Sequence, residues 1–145
     1  MSNPLRLYLA HNLNDRHEIR KIELELEKEF DIELLNPFYD VKREDIEEMD
    51  TGKITRWEFT LQQCREIVNR DLSGIDSCDG LLAIIKTPSI GTTLEIAYAF
   101  QHKKVIHIVS ENFHSHPWLR VYADQRFVTI DDYKKYLKLL LVNVK

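Results

Sequence analysis

Apolar residues along this chain follow two rhythms that alternate from one end to the other. Short dense runs, "LRLYLA" (5–10), "DIELLNPF" (31–38), "CDGLLAII" (78–85), "KVIHIVS" (104–110) and "RFVTI" (126–130), read as strands. Between them, apolar positions recur at three- and four-residue spacing, the period of a helix face. Ile19, Ile22, Leu24, Leu26 and Phe30 mark a helix over 15–30, although its Leu-x-Leu spacing leaves the buried face open. Trp57, Leu61, Cys64, Ile67 and Val68 mark another over 56–71. Further helices are expected over 92–102 and over 131–143, the last with Asp131 or Asp132 as its cap. The charged stretch "YDVKREDIEEMDTGKI" (39–54) has no clear period and reads as a flap or a short helix over a cleft. This alternation predicts an α/β sandwich around a parallel sheet with right-handed crossovers.

In such a sheet, ligands bind beyond the carboxyl ends of the strands, where the strand order reverses. Three segments are expected to meet there: "AHNLND" after the first strand, "TPSIGTTLE" after the third and "SENFHSHPW" after the fourth. In the second of these, Pro88 fixes a dihedral and Gly91 permits close backbone approach or a special conformation. Ser89 and Thr92 offer hydroxyls, and the N–H groups of the following helix start suit an anion or an oxygen-rich ligand. The same turn also serves as a plain helix start without a ligand.

Glu95 follows in "LEIAYAF", flanked by Leu94, Ile96, Ala97 and Ala99. It reads either as a first-turn capping and dipole partner or as a half-buried carboxylate with a use. A carboxylate so placed can attack an anomeric carbon and hold a covalent glycosyl intermediate. Proton handling at the leaving group falls to Asp71 in "NRDLSGIDSCD", at the expected end of its helix; the alternative is a turn-forming Asp. Asp76 and Asp79 are its rivals, one read as turn support and the other as lying at the opposite end of the third strand. Tyr8 can hold a carboxylate through its hydroxyl or simply pack in the core. His11, Asn12 and Asn14 are placed on the sugar or base side, whereas His102 and His107 read as structural.

Composition narrows the classes. With 145 residues and 17.2 kDa, the chain reads as one domain, 1–145. Its net charge of -4 and the lack of a basic run argue against nucleic-acid polymers as partners. Cys64 and Cys78 stand outside any Cys-x-x-Cys spacing and read as reduced thiols, so a cytoplasmic protein is expected. No signal peptide is read ahead of the first strand, and no apolar stretch approaches the roughly 20 residues that cross a bilayer. Histidines and carboxylates do not combine at zinc-site spacing, so neither a metal nor a cofactor is expected.

"LYLAHNL", "NRDLSGIDSCDGLLAII" and "TPSIGTTLEIAYAFQHKKVI", in this order and spacing, resemble the nucleoside 2-deoxyribosyltransferase family. The pattern carried is a first-strand Tyr, an Asp-Leu-x-x-Ile segment and a Gly-x-x-x-Glu-Ile-x-x-Ala helix start, over about residues 5–110. The resemblance implies a three-layer, doubly wound, flavodoxin/Rossmann-like five-stranded parallel sheet and a homodimer or higher homo-oligomer with sites near subunit boundaries. It implies double displacement through a 2-deoxyribosyl ester on Glu95, with Asp71 assisting protonation of the departing nucleobase and Tyr8 orienting Glu95. The ligands implied are a nucleoside or nucleotide and a free base.

Where the transferases of the family carry an acidic residue six positions before the Glu, gripping the sugar 5'-hydroxyl, this chain has Ser89. "PSIG" is similar instead to the related 2'-deoxynucleoside 5'-monophosphate N-glycosidases, whose serine belongs to a phosphate site; Arg16 or His11 would assist. Yet those hydrolases carry a Gly/Arg-rich first loop where this chain reads "AHNLNDR". Nucleoside transfer, 5'-monophosphate hydrolysis and a catalytically silent nucleotide-binding domain therefore stand as alternatives. For the residue that a neighbouring subunit brings to the site, Ser115, His114, His116 and Arg120 are all candidates.

Overall fold

The structure, a computed structural model, describes residues 4–40, 46 and 58–142. Most of the charged segment 39–54, read from the sequence as a flap or short helix, lies outside the described residues. Strand β1 (Leu5–Ala10) leads through a 3-10 turn (Leu13–Asp15) into helix α1 (Arg16–Glu29) and strand β2 (Ile32–Leu35). Helix α2 (Leu61–Asp76), strand β3 (Gly80–Ile84), helix α3 (Ile90–Gln101) and strand β4 (Val105–Val109) follow. A short helix α4 (Pro117–Tyr122), strand β5 (Gln125–Phe127) and helix α5 (Ile130–Val142) complete the described chain. The strands pair in parallel in the order β2-β1-β3-β4-β5. This is the flavodoxin-like doubly wound sheet.

Because side chains alternate across a strand, each strand feeds two cores. Tyr8, Ala10, Leu81, Ala83, Ile106 and Ile108 turn to one face, where Ile75 of α2, Ile96 and Ala99 of α3 and Leu119 of α4 cover them. Leu7, Leu9, Leu82, Ile84 and Val109 turn to the other face, against Ile19 and Leu26 of α1 and Tyr133 and Leu137 of α5. Three layers result, and the parity of β1 decides that Tyr8 points toward α2 and α3.

Local chemistry moves several boundaries from their expected places. Thr60 and Gln63 form a reciprocal capping box, so α2 starts at Leu61 and runs on to Asp76. Asp71 accordingly sits inside the helix and not at its end. Ser89 is the N-cap of α3, which starts at Ile90 and not at Thr92. At α5, Thr129 Oγ1 accepts the N–H of Asp132 at 3.1 Å, taking the capping role expected of Asp131 or Asp132. Gly80 is required by close approach: a Cβ there would meet the Val105 carbonyl oxygen at 2.5 Å.

Candidate active site

The strand order reverses between β1 and β3, and the loops leaving these two strands build a polar corner over the gap. Asn12 joins them directly. Its side-chain amide donates to the carbonyls of Thr87 and Pro88, both at 3.3 Å, while its Oδ1 accepts the N–H of Asn14 at 2.9 Å. From the other side Asp15 Oδ2 accepts the Thr87 N–H at 3.3 Å. The turn that leads into α3 is thus held by the loop after β1.

Tyr8 and Glu95, 87 positions apart, meet at this corner: the phenol donates a hydrogen bond to Glu95 Oε2. Tyr8 is 1% exposed and Glu95 is half-buried. The start of α3 at Ile90 puts Glu95 in the second turn, and no acidic residue occupies the first. A capping or dipole role fades within the first turn, so the helix terminus does not account for this carboxylate.

Gly74 of α2 explains how Tyr8 fits. A Cβ at that position would stand 3.0 Å from Tyr8 Cε2 and 3.2 Å from Cδ2, so the glycine is what lets the phenol ring lie against the helix. Asp71 precedes Gly74 by three residues and therefore shares its face, on the Tyr8 side of α2. Its Oδ1 is shielded from solvent. Two residues beyond Gly74, Asp76 Oδ1 accepts the hydroxyl of Tyr98 at 2.8 Å and fastens α2 to α3. Asp79 Oδ2 accepts the Arg6 N–H at 2.9 Å, at the end of the sheet opposite the corner.

The remaining expected residues have local partners. Ser89 Oγ accepts the Thr92 N–H at 3.2 Å and donates to Thr92 Oγ1 at 2.8 Å, and Thr92 is 3% exposed. Gly91 lies exposed in the first turn of α3, where an added Cβ would meet nothing within 4 Å. It adopts no left-handed conformation, so an open approach to the helix start, not an unusual dihedral, is what this glycine provides. His11 is 3% exposed, with ring nitrogens 3.1 Å from the Asn12 carbonyl oxygen and 3.4 Å from Asn36 Oδ1. Burial pushes its pKa below the ordinary histidine value.

Three features went unread in the sequence. Gly74 is one, signalled only by a glycine inside an otherwise helical pattern. Glu23 is another: it is 1% exposed between Ile19 and Leu26, the i, i+4, i+7 stripe of α1, with Arg20 at 2.7 Å and Asn36 Nδ2 at 2.7 Å. The third is an apolar cavity of about 480 Å³ between α3 and α4 that adjoins the start of α3, lined by Ser89, Thr92, Ile96, Phe113, Trp118 and Leu119 among others. Among the described residues, no group of three or more His, Cys, Asp or Glu is placed to hold a metal ion, and no helix is long and apolar enough to cross a membrane.

Fold and corner together define a class: a doubly wound α/β protein whose switch point holds a carboxylate fixed by a first-strand tyrosine. The chain belongs to the nucleoside 2-deoxyribosyltransferase family, whose model, described as Nucleoside 2-deoxyribosyltransferase, matches residues 7–140. Among solved structures, it is similar to the 2-deoxyribosyltransferase of the psychrotolerant bacterium Bacillus psychrosaccharolyticus, with a TM-score of 0.64 and 16% identity. That match covers 89% of this chain and 90% of the other. At such identity it speaks for the shared fold. No curated protein matches the chain.

Proposed function

We propose that this protein cleaves the N-glycosidic bond of a 2'-deoxyribonucleoside, or of its 5'-monophosphate, by double displacement through Glu95. The observation that carries the reading is the Tyr8 hydroxyl on Glu95 Oε2 at the switch point of the sheet. This donor restricts the carboxylate's rotation, so that the attacking oxygen meets C1' without a search through rotamers. Glu95 forms a bond to C1' as the C1'–N bond breaks, and the departing base takes a proton from Asp71. The resulting 2-deoxyribosyl ester is then opened by a second base, which gives transfer, or by water, which gives hydrolysis. Asn12 keeps the turn before α3 in place, and Ser89, Gly91 and Thr92 form the edge that meets the 5' end of the sugar.

Monophosphate hydrolysis stands as a second reading because the start of α3 carries no acidic residue and Gly91 leaves its approach open. First-turn N–H groups and the Ser89 hydroxyl suit a phosphate, and the charge that would repel one is missing. The chemistry is tested with Glu95→Gln and a slow 2'-fluoro substrate. Wild-type protein should carry a glycosyl adduct that mass spectrometry places on Glu95, and the variant should turn over nothing while keeping its fold. An adduct on another residue, or turnover by the variant, would refute the assignment. Nucleoside and monophosphate, each with and without an acceptor base, separate transfer from hydrolysis.

A further inference from the structure

His11 is buried, and the proposed chemistry does not use it, yet it stands one residue before Asn12, the side chain that ties the corner together. Its two ring nitrogens face two oxygens. Nδ1 lies 3.1 Å from the Asn12 carbonyl, which can only accept, and Nε2 lies 3.4 Å from Asn36 Oδ1. The Asn36 amide cannot turn its nitrogen toward the ring, because Nδ2 donates to Glu23 Oε1 at 2.7 Å and Oδ1 accepts the Phe38 N–H at 3.0 Å. A neutral imidazole has one N–H and one lone pair, so either tautomer sets a lone pair against an oxygen. Only the imidazolium satisfies both contacts.

We propose that His11 is a positioning residue for the reaction proposed above: its protonation, supported through Asn36 by the buried Glu23 carboxylate, clamps the loop after β1 onto the loop after β2. The clamp holds the Asn12 backbone, and through the Asn12 side chain the Thr87–Pro88 turn, in place for substrate. Charges face the ring from each described element packed around it. Burial works against the proton, and Asp15 favours it from the 3-10 turn. Beyond Asn36, Glu23 Oε1 of α1 accepts from Asn36 Nδ2 at 2.7 Å and Asp40 Oδ2 of the loop after β2 accepts the Asn36 N–H at 2.6 Å, one hydrogen bond from the ring, where their charge favours the proton. Arg20 of α1 opposes it, bound to Glu23 at 2.7 Å and lying 3.9 Å from Asp40. The Phe38 ring, edge-on at 4.9 Å, keeps water from substituting for a lost contact. With the proton gone, one of the two contacts opens and the corner loosens.

The test is an NMR titration of the His11 ring nitrogens between about pH 5 and about pH 8, beside steady-state kinetics over the same range. The ring nitrogen that carries the lone pair should gain its proton in a single step, leaving both nitrogens protonated, and the Asn12 side-chain amide signals should move with the same midpoint. Glu23→Gln should lower that midpoint by about half a unit or more, and Arg20→Gln should raise it, by removing opposite charges. KM should fall roughly 2- to 10-fold as pH drops through the midpoint, the size of one restored hydrogen bond, and this step should follow the midpoint in each variant while kcat changes less. A merely structural role would not make KM track a shifted titration.

If Glu23→Gln fails to fold, Arg20→Gln at the half-exposed end of the network decides the direction alone. An unmoved midpoint, Asn12 signals indifferent to it, or a KM independent of it in an active enzyme would overturn the proposal. Should the protein show no glycosidic activity, the reaction reading fails on that ground, and the NMR shifts still decide for or against the clamp.

Discussion

Replacing Tyr8 with phenylalanine isolates the contact on which the catalytic reading rests. The ring is 1% exposed, is packed in the core with Ile75 and Leu81, and lies against Gly74, so the variant keeps the packing and loses one oxygen. What disappears is the hydroxyl that donates to the Glu95 carboxylate. A hydrogen bond to a charged group contributes about 1.5–3 kcal/mol, which as lost transition-state stabilisation corresponds to a roughly 10- to 150-fold drop in kcat/KM. Thermal unfolding should move little by comparison, since the exposed end of the carboxylate can find water.

The assay is base release or exchange at subsaturating substrate, with melting temperature measured on the same samples. Glu95→Gln and the double variant complete a cycle, and the two substitutions should be far from additive because Tyr8 and Glu95 are in direct contact. Gly74→Ala provides an independent displacement of the same phenol: its Cβ, 3.0 Å from Tyr8 Cε2, forces the ring aside without touching its chemistry, and should also lower kcat/KM. A Tyr8→Phe enzyme within twofold of wild type would refute the claim that the phenol orients the nucleophile.

Three further outcomes are expected. Ser89→Asp should fold normally, because Asp is as good an N-cap as Ser, and should shift preference from the monophosphate toward the nucleoside by at least about tenfold; equal handling by both proteins would remove Ser89 from substrate selection. His107, 2% exposed, has its pKa lowered by burial to about 4, so the unfolded chain takes up a proton below pH 6.5 that the folded chain refuses. Stability present above pH 6.5 should therefore fall by about 3 kcal/mol as pH drops toward 4, and urea midpoints for His107→Gln should show a shallower decline; parallel slopes would contradict this. Light scattering should find a homodimer or larger assembly, and Trp118→Glu should dissociate it, since Ile90, Leu94, Trp118 and Val121 expose between 64% and 78% of their surface on one side of the molecule; an active wild-type monomer would count against it.

The strand-and-helix alternation was legible because both rhythms are local: five apolar runs mark five strands, and parity within "LRLYLA" and "GLLAII" sorts the two cores. That Tyr8 can hold a carboxylate was readable from the residue type, and the family pattern named Glu95 as that carboxylate; the contact itself spans 87 positions, and nothing local in β1 announces it. Boundaries were missed where a cap outweighed periodicity, as with Thr60 and Gln63, which shift α2 toward the C-terminus and enclose Asp71. Glu23 was missed because a glutamate in a charged helix reads as solvated. Its burial depends on Asn36, which lies beyond the next strand, and a pairing of that kind has no signature along the chain.

Helix α3 brings these threads together, because its faces serve different ends. Thr92, Ile96 and Ala99 are buried against the sheet and set the depth of the helix. Rotated to one flank, Glu95 and Tyr98 look toward α2, where Tyr98 is bound to Asp76. Rotated to the other, Ala97 lines the apolar cavity and Phe100 stacks on Tyr122 of α4 at 4.4 Å. Leu94, adjacent to the proposed nucleophile, is 64% exposed beside that cavity. A body that fills the cavity and covers Leu94 therefore presses on the same rigid rod that carries Glu95, and 12 residues of helix leave little room for one flank to shift without the other. An assembly on the α3–α4 face would bear on the placement of the carboxylate, and Trp118→Glu should then lower turnover together with dissociation. Loss of assembly with full activity would show that the two flanks act independently.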